Sequence, residues 1–433
     1  MGPEQFRVRQ LGERRISSPL KRDGGGVRFV SDGARIPLRP ELTDGQAPDF
    51  SLSFEKAGPR EHIYFDPGKV RAALVTCGGI CPGLNNVIRS IVMQLWFGYG
   101  VRHIIGVRHG YAGMHLDGGL HPLLLSPEVV SRIHREGGTL LGTSRGPGNL
   151  AKMLDFLRHH GINVLFTIGG DGTQRGAHAL MEEACRQGYE LALVGVPKTI
   201  DNDISYVWRT FGFATAMEIA AQIIDCAHTE ARGHINGVGL VKLMGREAGF
   251  IAAAATVANQ DVNFTLIPEV PFELDGEHGF LKALEKRLDQ RGHAVVVVAE
   301  GAGQDLIGRW QVERDASGNI KLADVGPFLK EKIKDHFRAV GKLVDVKYFD
   351  PSYAIRSAPA NAADSIYCDE LARHAVHAAM AGKTGIIIGS WYNVATHVPI
   401  PLVVGKRRRL TESSDLWQSV LKMTGQPARF VNP

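Results

Sequence analysis

The chain has 433 residues, 44% apolar and 22% charged, enough for two globular domains and too apolar for disorder over most of its length. Its 50 basic and 45 acidic residues leave a net charge of +5, too small and too dispersed to imply a nucleic-acid partner. No apolar run reaches the roughly 18 residues of a membrane helix, and residues 1–30 lack the apolar centre of a signal peptide, so a soluble, cytoplasmic protein is expected.

Residues 1–69 hold several arginines, glycines at 24, 25 and 26 and repeated prolines without sustained periodicity, and read as an N-terminal extension, laid over the domain or partly disordered. From Arg71 the texture changes. AALVTC (72–77) predicts a buried strand, GGICPG (78–83) a glycine turn, and Val87, Ile88, Ile91, Val92 and Leu95 stand at helical spacing. The pattern recurs with INVLFTI (162–168), the loop GGDGT (169–173) and a helix through Ala177 and Ala184; LALVGV (191–196) then leads into PKTIDND (197–203). VGLVKL (238–243), AVVVVA (294–299) and GIIIG (385–389) add three apolar strands. Buried strands alternating with helices predict an α/β protein with doubly wound, largely parallel sheets, whose ligands sit beyond the carboxyl ends of the strands. The basic run at 406–409 reads as a solvated or inter-subunit face, with an anion site as the alternative. Cys77, Cys81, Cys185, Cys226 and Cys368 lack metal spacing and read as free thiols; His374 and His377 share a helix face without companion ligands and read as structural.

Gly382-Lys383-Thr384 resembles the end of a P-loop, but His377 stands where its first glycine belongs, and no GxGxxG occurs. Phosphate binding must therefore use other loops. Glycines at 169, 170 and 172 let the backbone approach a polyphosphate at a helix start, and Asp171 among them makes sense as a Mg²⁺ holder, with a helix cap as the alternative. GGICPG is a second glycine turn, and Arg145 in GTSRGPG (142–148) puts a cation on a third. PKTIDND ends a buried strand with a lysine, a hydroxyl and two carboxylates. An extended segment sets Asp201 and Asp203 on one side, where one can take a proton from a sugar hydroxyl, with a pair of turn aspartates as the alternative.

With GGICPGLNN, GGDGTQRGA, PKTIDND, LMGREAG (243–249), AEGAG (299–303) and DPSYAIRSAPANAAD (350–364) in that order, residues 70–400 resemble the phosphofructokinase family. GGDGT alone also occurs in NAD and lipid kinases; PKTIDND with the MGR segment decides against them. The resemblance implies two domains with the active site in the cleft between them: 70–212 with 356–405 binding ATP, and 213–355 with 406–433 binding the sugar phosphate. It implies transfer from ATP with Mg²⁺ to fructose 6-phosphate in a homo-oligomer, dimer or tetramer. Gly79, Arg145, Gly146, Gly170, Asp171, Gly172 and Thr173 fall at its nucleotide positions, with Asp171 at the metal. Asp201 falls at its general base, with Thr199, Lys198 and Arg246 in the catalytic set. Ile200, Asp203, Met244, Gly245 and Glu300 fall at sugar contacts, and Lys347, Tyr353, Ala354, Ile355 and Arg356 around the 6-phosphate. Gly237 departs from typical bacterial members, which carry there an arginine that reaches into a neighbouring subunit. Pyrophosphate-using members typically have an aspartate where this chain has Gly172, which points to ATP; Lys198 points the other way but also occurs in ATP enzymes of plants and trypanosomatids. The expectation is therefore ATP, with pyrophosphate as the alternative. A non-catalytic regulatory subunit is disfavoured because Asp171, Asp201, Asp203, Arg246 and Glu300 are all present.

Overall fold

Each apolar run picked out from the sequence forms a strand with a parallel neighbour. The computed structural model describes residues 2–21, 26–41, 45, 49–308, 313 and 320–433, so Gly24 and Gly25 lie outside the described residues. The chain divides into two units: Met1–Thr199, Ile204–Gly212 and Ser357–Lys406 form the first, and Ile200–Asp203, Phe213–Arg356 and Arg407–Pro433 the second.

The first unit is built on a nine-stranded sheet. Its five central strands, in spatial order Ile386–Trp391, Ala192–Pro197, Val164–Gly169, Arg71–Thr76 and His103–Val107, run parallel. Val164–Gly169 and Ala192–Pro197 are buried throughout, as strands covered on both faces must be. Ala73, Val75, Leu165, Leu193 and Ile387 pack with Met153, Leu157, Leu180 and Ala184 from the helices Leu150–His159 and Asp171–Arg186. Each such fully buried leucine contributes about 1.5–3 kcal/mol relative to exposure. The helices Leu84–Met93 and Ala362–Met380 pack on each other, and the latter also lies against Ala192–Pro197.

The N-terminal segment corrects its reading as an overlying extension. Arg35–Pro37 and Ser53–Lys56 pair antiparallel and join the sheet through Val394–Pro399, while Phe6 and Phe54 are fully buried in the core of the first unit. Strands of three and four residues are too short to leave a periodicity in sequence. Ser53–Lys56 also carries Glu55 into a buried charge cluster, where its carboxylate meets Arg60 at 2.9 Å, Lys383 at 3.0 Å and His397 at 3.1 Å. That contact explains Lys383, whose P-loop-like neighbours line no phosphate loop but end a helix and form a two-residue strand.

The second unit holds four parallel strands in the order Phe264–Leu266, His293–Ala299, Gly237–Leu243 and Asp345–Phe349. Val238, Leu240, Val296 and Val298 pack with Phe280, Leu284, Leu329 and Phe337 of the helices Phe280–Arg291 and Val325–Ala339. The helix Phe213–Arg232 approaches the central strand so closely that a Cβ at Gly237 would stand 2.0 Å from the Ala231 carbonyl oxygen, and one at Gly239 2.5 Å from that of Ala227. The absence of an arginine at 237 is thus built into the backbone. Among the described residues no helix is long and apolar enough to cross a membrane.

Candidate active site

In the first unit the loops that follow neighbouring parallel strands gather the predicted nucleotide residues. Gly78 takes φ +88°, and its N–H donates to Ser144 O at 2.9 Å while Thr143 Oγ1 donates to Gly78 O at 2.7 Å. These two bonds bring the arginine loop to the glycine turn, where a Cβ at Gly79 would lie 3.9 Å from Arg145 Nη2. Gly146 takes φ +115° with open space around its Cβ position. Lys198 joins the group: its N–H donates to Gly169 O at 3.0 Å and its Nζ to Gly79 O at 2.6 Å. Thr199 follows it in the chain, half-buried.

Only Gly170 separates the strand Val164–Gly169 from the helix Asp171–Arg186, and as N-cap it offers no side chain to the first-turn amides. Gln174 N–H makes the first helical bond, to Gly170 O at 3.0 Å, and Tyr111 Oη donates to Thr173 O at 2.7 Å. Uncapped amides at a helix start favour an anion. Asp171 is the first helical residue rather than the cap; its Oδ1 accepts from Gly405 N–H at 2.7 Å and its Oδ2 pairs with Arg175 at 2.6 Å. A Cβ at Gly172 would meet nothing within 4 Å.

The acids stand in the second unit. Burial, then the charges of Asp203 and Glu300, push the Asp201 carboxyl up to about 7 against the opposing pull of Arg356 and the Arg246 N–H. A carboxyl raised this far binds its proton near neutral pH, where a general base works best. Asn202 between the two aspartates takes φ 57°, a left-handed turn that asparagine tolerates. Asp203 is 7% exposed and accepts from Arg407 Nη1 at 2.7 Å. Met244, Gly245 and Arg246 follow the central strand; Gly245 takes φ +136°, where a Cβ would stand 2.6 Å from Ala248 O. Glu300 N–H donates to Leu243 O at 2.9 Å and Gly301 N–H to Gly245 O at 3.1 Å, which fixes Glu300 beside the MGR turn. Arg246 Nη2 is buried with no acceptor among the described residues, the kind of orphan donor that an oxygen-rich ligand satisfies. Ile200 is buried and links the two sets of loops in sequence.

Tyr353, Ala354, Ile355 and Arg356 lie on the short helix Ser352–Ser357, anchored by the fully buried Ile355, with Tyr353 82% exposed. Lys242 steadies the approach to that helix, bridging Asp324 and Asp350 at 2.9 Å each. Lys347 pairs with Gly239 in the sheet at the middle of the strand Asp345–Phe349, and its ammonium lies 3.1 Å from Asp345. The basic run is a solvated face only in part: Lys406 and Arg409 are exposed, Arg409 lying 3.3 Å from Glu247, whereas Arg407 holds Asp203 and the Arg408 guanidinium sits 4.7 Å from the centre of the Phe250 ring. The buried Asp203 carboxylate draws Arg407 inward. Arg407 and Gly405 were missed as site residues; the run of arginines was the only signal for the first, and a lone glycine gave none for the second.

Among the described residues no three His, Cys, Asp or Glu side chains cluster as a metal cage. One carboxylate at an anion-favouring helix start nevertheless fits Mg²⁺ carried on phosphates, because that ion keeps several waters and takes only one or two protein carboxylates. His374 and His377 do not form a site either, since His377 Nδ1 lies 2.8 Å from Tyr99 Oη and burial holds His374 down at about 4.

The family description Phosphofructokinase matches residues 71–379. An ATP-dependent 6-phosphofructokinase of Borreliella burgdorferi is 44% identical over 437 residues, covering 99% of this chain and 98% of its own. Its namesake from Amycolatopsis methanolica is 46% identical over 99% and 96% of the two chains, and that from Trypanoplasma borreli 42% over 98% and 87%. The crystal structure of a pyrophosphate-dependent phosphofructokinase from Marinobacter aquaeolei shares the fold at a TM-score of 0.68 and 22% identity, over 82% of this chain and 91% of its own. With the family's motifs standing at the carboxyl ends of parallel strands and relatives this similar along nearly its whole length, the chain belongs to the phosphofructokinase family.

Proposed function

We propose that the protein is an ATP-dependent 6-phosphofructokinase, transferring the γ-phosphoryl group of ATP to the 1-hydroxyl of fructose 6-phosphate to give fructose 1,6-bisphosphate and ADP. The observation that carries this reading is Asp201, whose proton affinity is raised to near neutrality among Asp203, Glu300, Arg356 and Arg246. Asp201 takes the proton of the attacking hydroxyl. Glu300, Met244, Gly245 and the orphan Arg246 guanidinium orient the sugar; Arg356 and Tyr353 receive its 6-phosphate. The turns at Gly79, Gly146 and Gly170 to Thr173 cradle the donor, and Arg145 and Lys198 offset charge on the transferring group. Asp171 would hold Mg²⁺ on the nucleotide, where the ion neutralises phosphate charge.

The donor assignment rests on the open space at Gly172, which leaves room for an α-phosphate, and on relatives of 42–46% identity that are named for ATP. A coupled assay of fructose 1,6-bisphosphate formation with ATP or pyrophosphate tests it. ATP should give the larger kcat/KM, and a preference for pyrophosphate would overturn the donor; turnover with neither would overturn the activity.

A further inference from the structure

The phosphofructokinase reading gives no role to the segment that follows Lys406, yet this segment is bound to both turns that carry the acceptor chemistry. Arg407 Nη1 donates to Asp203 Oδ2 at 2.7 Å, and the next amide, Arg408 N–H, donates to Asp203 O at 2.8 Å. Arg407 Nε lies 3.5 Å from Glu247, the residue after Arg246, and Arg409 reaches the other oxygen of the same carboxylate. Leu410 N–H donates to Glu269 Oε1 at 2.9 Å, and Glu269 in turn accepts from Gly249 N–H at 3.0 Å. Four consecutive residues thus strap the Asp201-Asn202-Asp203 turn to the turn after Met244-Gly245-Arg246.

The geometry points to Arg407 as a positioning residue for catalysis: by countering and orienting the buried Asp203 carboxylate, it fixes where Asp201 stands and how much negative charge Asp201 faces. This rests on Asp201 being the general base. The groups facing Asp201 include Asp203 on its own turn, Glu300 after the strand His293–Ala299, Arg356 on the short helix, and the Arg246 N–H. Arg407 faces Asp203 and Glu247. Asp203 needs that cation, because a carboxylate only 7% exposed is strongly destabilising when its counter-charge is taken away.

Removing the cation leaves Asp203 acting on Asp201 without this counter-charge. Asp201 then binds its proton more tightly, and more alkaline conditions are needed to free the base. In Arg407→Met, which keeps the apolar stem, kcat should fall about tenfold and the acid limb of the kcat/KM profile should move up by about one pH unit, with KM for ATP within about twofold of the parent. Arg407→Lys retains the charge and should hold the acid limb at the parent position while recovering part of kcat. Arg407→Met combined with Asp203→Asn removes the unbalanced charge and should bring the limb back down.

Asp201→Asn run alongside separates the two ideas. If it keeps near-parent turnover, the base assignment fails and takes the inference with it. If it is inactive while Arg407→Met keeps the parent kcat and acid limb, the base stands and the role of Arg407 is overturned. Equal shifts in the Met and Lys variants would also overturn it, since packing rather than charge would then be at work. Should Arg407→Met not fold, Arg407→Gln keeps a donor to Asp203 without the charge, and an unshifted acid limb in that variant would likewise overturn the role of Arg407.

Discussion

Two carboxylates, the buried Glu55 in the first unit and the half-buried Asp201 in the second, are driven in opposite directions. Glu55 and Asp201 are both pushed up by burial. At Glu55 that push is outweighed by His397 and Lys383, and its carboxyl ends well below the usual range. At Asp201 the neighbours Asp203 and Glu300 add to the push, and the carboxyl rises to about 7. The difference lies in the company: the His397 hydrogen bond and the Lys383 cation at Glu55 make a fixed charge that ties a terminal strand to its sheet, whereas on the proposed function the anions around Asp201 make a proton acceptor. An acid points to proton transfer when its neighbours raise its proton affinity rather than lower it.

The largest effect should come from the acid that is kept poised. Asp201→Asn should lower kcat by roughly 10²–10⁴-fold, the range for a lost general base, while fructose 6-phosphate still binds in equilibrium titration. The parent should lose kcat/KM below about pH 7, tenfold per unit once Asp201 is mostly protonated, and this limb should vanish from the residual activity of the variant. Residual activity that still falls through the same limb would mean that another group supplies it.

Glu55→Gln tests the opposite member. It takes the carboxylate from the buried Lys383 and leaves Arg60 only Asp32 among the described carboxylates, and breaking a buried pair costs about 3–5 kcal/mol, readable by denaturant unfolding, with kcat per folded molecule unchanged. Because the folded carboxyl of Glu55 is depressed, its contribution is complete above the ordinary carboxylate value of about 4.3 and is lost as pH falls below it. Parent and variant should therefore converge in stability as the solution is acidified. A gap that stays constant to about pH 3, well below that ordinary value, would contradict the depressed carboxyl.

Gly172→Asp places a negative charge in the open space of the first unit that the proposed function assigns to the donor. ATP kcat/KM should fall on the order of a hundredfold, through repulsion at the α-phosphate, with pyrophosphate turnover affected less. An undiminished ATP rate would shift the weight of donor choice to Lys198. Smallest is Asp171→Ala, which should raise the Mg²⁺ needed for half-maximal rate by about tenfold. An unchanged Mg²⁺ titration would leave Asp171 only its bonds to Gly405 and Arg175.

What was legible in the sequence is what the chain keeps local. The glycine turns and PKTIDND each follow a buried strand directly, so strand, loop and chemistry could be read as one stretch, and parallel pairing then put their ends on one edge. What was hidden is what the fold brings from afar. Arg407 meets Asp203 across 204 residues, and His397 meets Glu55 across 342, and neither pairing leaves a periodicity or spacing to read. The strands Arg35–Pro37 and Ser53–Lys56 escaped for the opposite reason, being too short to show any pattern. Gly237 was noticed for the arginine it lacks, but the helix backbone that excludes a side chain there becomes visible only in three dimensions.

The bond between Asp203 and Arg407 also has a consequence for the order in which the protein is made. Synthesis runs from the N-terminus, and at about 5–20 residues per second Asp203 waits on the order of ten seconds or more for Arg407 to leave the ribosome. Through most of that interval the first unit also lacks residues 357–406, with the strands Ile386–Trp391 and Val394–Pro399 of its sheet, while the turn at Asp203 has neither its strap nor the Arg407 cation. A chain released early, shortly before the arginine run, would carry every motif by which the family is recognised and still lack the guanidinium that balances Asp203. The last stretch of translation therefore completes first the sheet of one unit and then the charge balance at Asp203 in the other, and on the proposed function copies that end between the two steps would turn over poorly.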